Sequence, residues 1–299
     1  MSVSNVNLDL EHLDTLLAVV DAGSFDDASI DLGVTPSAIS QRIKALESRL
    51  GSILLVRSRP VKPTEKGARV LRYARQISLL GTEFSHELMR DEVLQGKITL
   101  SIGVNSDSLA TWFSPVFTEL TRWPQLSCEI LRTDENLTME LLRTGRVSGV
   151  VTNSPEVAQG CSVQRLGAMR YRAVAAPNFL SAWAAQDLSQ MPIVLFDRAD
   201  PLQHQMLERI DSSKNRPTGT IYYVPDSSQF VQAIRAGMGW GMVPEQQLCS
   251  APELKALDDS WFIDVPLYWQ RWSVDSPALD RLGSILLKSA EQNGLDLLI

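Results

Sequence analysis

Between Val34 and Gly51 the stretch VTPSAISQRIKALESRLG carries short hydroxyls, one glutamine, several bases and a single acid, Glu47. Ser37, Ser40 and Gln41 are side-chain types that hydrogen-bond to the edges of DNA bases, and Arg42 and Lys44 are types that hold phosphate or guanine. Downstream, SILLVRSRPVKPTEKG sets Arg57, Arg59 and Lys62 around Pro60 and Pro63, just before Thr64. Cations of this kind grip the phosphate backbone and position a protein without reading sequence. A second group of residues has different chemistry. It comprises Asn105, Ser106, Asp107 and Ser108, then Thr133, Asp134 and Glu135, then Thr152 and Asn153, then Asp197, then Asp226, Ser227 and Ser228. Hydroxyls and carboxylates of this kind bind the polar ends of a small molecule, although each alone also suits a helix cap or a loop.

Enzymatic chemistry finds no support. His12, His86 and His204 are scattered, and no GxSxG sequence or phosphate loop is present. Cys128, Cys161 and Cys249 are far apart and odd in number, which argues against a disulfide framework or a CxxC metal site. Neither a metal nor a cofactor is expected. No apolar run reaches the length of a membrane span, and MSVSNVNLDLEHLD lacks the bases and apolar core of a signal peptide, so a cytoplasmic location is expected.

The charge is uneven. Residues 1–32 hold seven acids and no base, residues 33–75 hold ten bases and two acids, and the whole chain of 299 residues is at -7. A basic segment inside an acidic protein is the footprint of a phosphate binder.

Helical elements must present these residues. Leu13, Leu16, Leu17 and Val20, then Phe25, Ala28 and Leu32, recur at helical spacing, with Gly23-Ser24 between them and Gly33 after. Thr35 caps a third helix with Pro36 at its first position. Ala38, Ile39, Ile43, Leu46 and Leu50 form its core stripe, and the hydroxyls, Gln41 and Lys44 lie largely elsewhere. This is a helix-turn-helix, whose second helix enters the major groove. Ile53 to Val56 reads as a strand of a basic hairpin, or wing. From Thr64, a cap, to about Asp91 one long helix follows, with Val70, Tyr73, Ile77, Leu80, Phe84 and Leu88 as a coiled-coil seam. Gln95-Gly96-Lys97 then interrupts. Beyond it KITLSIGV, LSCEILR, SGVVT, YRAVAA, IVLF, TIYYV, WGMV and YWQRWSV read as strands. They alternate with helices such as SLATWFSPVFTELTRW and LTMELLRTG, which predicts parallel sheets with crossover helices.

The stretch AGSFDDASIDLGVTPSAISQRIKALESRLGSILLVRS, followed by PTEKG, resembles the winged helix-turn-helix of LysR-type transcriptional regulators. Ser29 departs from it, where many relatives have alanine. VNSDSLATWF, VPLYWQRW, LGAMRYRAVA and AIRAGMGWGMVPE resemble the subgroup that senses basic amino acids and controls arginine or lysine export, and extend the likeness over nearly the whole chain. An acid is common in that subgroup where this chain has Thr133.

The resemblance implies an α/β fold with an all-α N-terminal part. Residues 1–65 are the winged helix-turn-helix, 66–96 a dimerisation helix and hinge, and 97–299 a two-lobed effector domain similar to periplasmic binding proteins. Lobe I comprises 97–167 and 267–299, and lobe II 168–266. The implied partners are a double-stranded DNA operator, a second or further copies of the chain, and a small-molecule effector, lysine or arginine, with RNA polymerase kept open. Trp112 is expected either on the effector's aliphatic stem or in the core. An architectural DNA-binding protein and a regulator with a non-basic effector stay open as alternatives.

Overall fold

The computed structural model describes residues 8–88, 97–133, 135–211 and 216–295, with the backbone alone for 135–137. Asp134, the side chain of Glu135, the expected hinge at Gln95 and Gly96, and the expected helix past Leu88 lie outside the described residues.

Three helices open the chain: α1 (Leu10–Ala22), α2 (Phe25–Asp31) and α3 (Pro36–Leu50). Asp9, Ser24 and Thr35 cap them by accepting hydrogen bonds from backbone N–H groups in the first turns. Leu13, Leu16, Val19, Ala28, Ile39, Ile43 and Leu46 share one core. On the expected stripe of α3, Ala38 and Leu50 are only half-buried.

The wing pairs β1 (Leu55–Val56) with β2 (Lys62–Pro63), antiparallel. The strand expected from Ile53 is thus shorter. Its first backbone groups are already engaged: the Glu47 carboxylate accepts from Leu54 N–H at 2.8 Å, and Thr64 Oγ1 donates to the Ile53 carbonyl at 2.8 Å.

Thr64 also caps α4 (Glu65–Leu88), accepting from Gly67 N–H at 3.0 Å. One face of α4 buries Leu71 and Ala74 in the N-terminal core and Leu79 in the core of the next domain. Three polar side chains fasten that face. Arg72 donates to the carbonyls of Gln159 and Gly160 at 2.7 and 2.8 Å. Arg75 donates to the Gly145 carbonyl at 2.8 Å and pairs with Asp21 of α1. The Glu83 carboxylate accepts from Ser276 Oγ and Ala278 N–H, both at 2.8 Å. Gly145 has φ +73°, and a Cβ there would stand 2.6 Å from the Arg72 Cα, so the approach requires glycine.

The remaining elements are β3 (Ile98–Val104), α5 (Ser106–Ala110), α6 (Ser114–Thr121), β4 (Leu126–Arg132), α7 (Glu135–Arg143), β5 (Gly149–Thr152), β6 (Cys161–Ala175), α8 (Pro177–Trp183), β7 (Ile193–Leu195), α9 (Leu202–Ile210), β8 (Ile221–Tyr223), α10 (Ser227–Arg235), β9 (Gly241–Pro244), α11 (Glu245–Leu248), β10 (Lys255–Ala256), β11 (Phe262–Trp272) and α12 (Pro277–Gln292). They build two α/β lobes. β3 lies parallel to β4 and β5, and β7 parallel to β8.

The sheets are nevertheless mixed, not purely parallel as expected. β11 runs antiparallel to β5 and β6, and β9 and β10 antiparallel to β6. β6 spans 15 residues and β11 spans 11, and together they pass through both lobes. Their register shifts between Leu267 and Tyr268, beside Gly167. Only the apolar second half of β6 is visible as a pattern, because Val163, Gln164 and Arg165 of its first half are exposed. The helix expected over 108–123 is two helices. Phe113 N–H bonds back to the Ser108 carbonyl at 3.1 Å, and Pro115, which has no N–H to donate, sits in the first turn of α6.

Candidate ligand cleft and DNA-reading surface

Parallel strands expose their C-terminal ends where a doubly wound lobe binds ligands. Here β3 leads to Asn105, Ser106 and Asp107, β4 to Thr133 and β5 to Asn153, and all five line one cavity of about 330 Å³. The facing wall comprises Asp197 and Asp200 in the loop after β7, with Tyr171, Phe230, Met242 and Gln247.

Among the described residues, Asp107, Asp197 and Asp200 are held without cations. Asp107 accepts from Tyr171 Oη at 2.7 Å and from Ser227 Oγ at 2.6 Å, and Gln247 Nε2 donates to the same Ser227 oxygen at 2.9 Å. Burial pushes the Asp107 carboxyl above its ordinary range, and the two hydroxyl donors pull it partly back. Asp200 accepts from the N–H groups of Phe196 at 3.1 Å and Leu202 at 3.0 Å. Burial also raises its carboxyl, these bonds oppose the rise, and the charges of Asp107 and Asp197 add to it. Asp197 accepts from the N–H groups of Ala199 and Asp200 at 2.6 and 3.0 Å. Asp264 is matched, since Arg170 donates to both its oxygens at 2.7 and 2.8 Å. Among the described residues no Lys or Arg lines the cavity.

The structure brings together Asn105, Ser106, Asp107, Thr133 and Asp197 as expected neighbours. It keeps others apart. Trp112 is 0 % exposed and packs beside Phe113 in the core, so it has no surface for a ligand's stem. Ser108 and Thr152 are buried outside the cavity lining, and the Thr152 hydroxyl accepts from Ser154 N–H at 3.2 Å. Ser228 is exposed and donates to Asp226, the cap of α10. Ser227 stands behind Asp107 and reaches the cavity through it. Among the polar lining residues, Tyr171, Asp200, Gln205, Gln247 and Asp264 escape the sequence reading. Asp200 left a signal, an acid three residues after Asp197 in FDRADP. Tyr171 and Gln247 left none, being a strand tyrosine and a short-helix amide.

On the N-terminal domain Ser37, Gln41 and Lys44 are exposed along α3 and Ser40 is half-buried. Arg57, Arg59 and Lys62 are exposed on the wing, with the Arg57 guanidinium 5.4 Å from the Phe25 ring centre. Arg42 differs from expectation. It pairs with Glu11 of α1, with Thr15 Oγ1 at 3.5 Å, and so ties α3 to α1. Thr35 and Thr64 serve as caps. From Tyr73 on, the expected seam of α4 is bare: Tyr73 is 64 % exposed and Phe84 60 %, with Ile77, Leu80 and Leu88 also exposed, whereas Val70 is half-buried against the N-terminal core.

Among the described residues no group of His, Cys, Asp and Glu could hold a metal ion, and no helix is long and apolar enough to cross a membrane.

Residues 10–68 match the bacterial regulatory helix-turn-helix proteins of the lysR family, and residues 95–291 match the LysR substrate binding domain. The lysine export transcriptional regulatory protein LysG of Corynebacterium glutamicum is 41% identical over 286 residues, 93% of this chain and 96% of that one. The transcriptional regulator ArgP of Pseudomonas aeruginosa is 34% identical over 291 residues, 94% and 96% of the two chains. The structure of full-length LysG from C. glutamicum with bound effector Arg is similar at TM-score 0.79 and 39% identity, over 97% of this chain and 100% of that one. That of ArgP from Mycobacterium tuberculosis is similar at TM-score 0.86 and 36% identity, over 97% and 99%. With a helix-turn-helix at one end, a two-lobed ligand-binding domain at the other and relatives that match nearly end to end, the chain belongs to the LysR family of DNA-binding transcriptional regulators.

Proposed function

We propose that this regulator responds to a basic amino acid, lysine or arginine, held between the lobes, and that it controls a gene for amino-acid export. The observation that carries the reading is the cleft's charge. Asp107, Asp197 and Asp200 line it, and among the described residues no lining Lys or Arg answers them. Buried carboxylates without a counter-charge are costly, and a cationic ligand relieves that cost. The ligand's α-carboxylate would meet hydroxyls and amides around Ser106 and Thr133. Asp134 and Glu135, which follow Thr133 in the chain, are further candidates for the cationic end. LysG, similar over nearly the whole length, has a structure with bound effector Arg.

The same reading extends to the rest of the molecule. Ser37, Ser40, Gln41 and Lys44 read the major groove, and Arg57, Arg59 and Lys62 hold the backbone beside it. The bare seam of α4 pairs with a second copy in a dimer or tetramer, in the cytoplasm, and the chain has no enzymatic role. Lobe I comprises 97–167 with 267–299 and lobe II 168–266, a division supported by the register shift at Leu267 and Tyr268. A ligand alters DNA binding by favouring one lobe arrangement over another, typically by about 1–3 kcal/mol of coupling.

Calorimetric titration of the purified protein tests the effector. Lysine or arginine should bind, and neutral and acidic amino acids should not. Binding of a neutral or acidic compound in place of the basic ones would overturn the effector class and leave the family assignment untouched.

A further inference from the structure

We propose that Gln247 is a positioning residue for the Asp107 carboxylate, acting through the Ser227 hydroxyl, and that this relay sets the cleft's affinity for a cationic ligand. The proposal rests on the reading of Asp107 as a partner of the ligand's cation.

The geometry orders the donors. Ser227 Oγ lies 2.6 Å from Asp107 Oδ1 and 2.9 Å from Gln247 Nε2. An ionised carboxylate only accepts, and a serine hydroxyl has one proton to give. That proton lies on the bond to Asp107. The Ser227 oxygen can then only accept, and Gln247 must turn its N–H toward it. The direction is therefore Gln247 to Ser227 to Asp107. Its cost is visible on the other side of the amide, where Gln247 Oε1 is buried with no hydrogen-bond partner among the described residues. An amide that strands its carbonyl to keep an N–H on one hydroxyl marks that contact as the one that decides its orientation.

The relay is dry, with Ser227 6% and Gln247 9% exposed. In such surroundings each hydrogen bond polarises the next, so Gln247 makes Ser227 a stronger donor to Asp107. Other groups face the same carboxylate. Tyr171 of β6 donates to its second oxygen, Asp197 and Asp200 bring like charge from the loop after β7, and among the described residues no Lys or Arg lines the cavity. Burial and like charge favour the protonated form of Asp107, and with no Lys or Arg lining the cavity among the described residues, these neutral donors are what oppose them and favour the ionised form. Weakening the relay lets Asp107 take up its proton at higher pH, and a protonated Asp107 is a poor partner for a cation.

The test uses the full-length protein, arginine and lysine as probes, and the variants Gln247→Met, Ser227→Ala and the pair combined. Gln247→Met keeps the length of the side chain and removes its polar head. Calorimetry from neutral to mildly acidic pH should give about three- to tenfold weaker binding for Gln247→Met at neutral pH. The pH at which affinity falls away should move upward. Ser227→Ala should do the same, and adding Gln247→Met to it should change little more, since both act on one bond. Additive losses, or an unmoved pH profile, would overturn the relay. A readout without ligand separates this from the effector reading: the carbon-13 carboxyl titration of Asp107 in labelled, ligand-free protein. In Gln247→Met it should move to higher pH even if no basic amino acid binds. If it stays in place in a folded variant, the relay is wrong although lysine or arginine may bind well to the wild type.

Discussion

Replacing Asp107 by asparagine changes one charge and almost no volume, so its two consequences can be worked out separately. The first concerns the ligand. Deleting one partner of an isolated buried ion pair costs about 3–5 kcal/mol. Asp197 and Asp200 share this cavity and still offer negative charge. The loss is then closer to that of one charged hydrogen bond, about 1.5–3 kcal/mol. That is about ten- to a hundredfold in Kd for arginine or lysine. The second concerns the ligand-free protein. The folded-state carboxyl titrates above its ordinary range because burial opposes its charge. A raised folded value in an acid means that ionisation costs stability above that value, and that the cost fades as pH falls through it. Tyr171 and Ser227 can rotate their hydroxyls to suit an amide, so Asp107→Asn should retain both contacts. The variant should therefore melt no lower than wild type at neutral pH, with each kcal/mol of relief worth about 2–4 °C. This advantage should shrink on acidification. Calorimetric titration and thermal melts across pH read the two effects. Undiminished arginine affinity in Asp107→Asn would refute the carboxylate as counter-charge, and a melt many degrees lower would make Asp107 a structural clamp instead.

Other perturbations test the remaining surfaces. Gln41→Ala should weaken cognate DNA binding and relax base preference by ~1–3 kcal/mol for a lost bidentate contact, measured by mobility-shift competition. Arg57→Ala or Arg59→Ala should weaken binding to all DNA alike and flatten its salt dependence by about 0.9 per lost phosphate contact, read by anisotropy titrations. Glu11→Gln should do the opposite, because it frees Arg42 from its partner on α1. An unchanged salt slope would mean that Arg42 cannot reach phosphate at all. Ile77→Glu with Leu80→Glu should split the oligomer in sedimentation experiments and abolish tight operator binding, since both side chains are exposed on the bare face of α4.

What was legible in the sequence depended on how local the cause was. The caps at Ser24, Thr35 and Thr64 and the breaks at Gly23 and Gly33 act within one turn, and the N-terminal helices follow them closely. The long helix α4 was readable for the same reason, from a spacing along one helix. Long-range pairing was not. The antiparallel partnership of β6 with β11 joins residues about a hundred positions apart, and nothing in either strand announces the other. The cleft divides the same way. Asn105, Ser106, Asp107, Thr133 and Asp197 follow strand ends and were found by that rule, whereas Tyr171 and Gln247 reach the cavity only because the lobes fold against each other. The pairing of Arg42 with Glu11 was not legible either, because it joins two helices across the domain.

A helix clamped along one side and bare along the other works as a lever arm. At 24 residues α4 is about 36 Å long, close to the ~34–36 Å between neighbouring half-sites one DNA turn apart. Its contacts through Arg72, Arg75 and Glu83 with Gln159, Gly145 and Ser276 fasten it to the ligand-binding domain, which would serve as the fulcrum. A tilt of about 10° at one end of such a rod sweeps the other through about 6 Å, nearly two base-pair steps of ~3.4 Å. In a paired regulator a small adjustment beside these clamps would be magnified into a change of stride along the double helix. Operators with altered distance between half-sites would then sort the two postures of the protein, even where its grip on each half-site is the same.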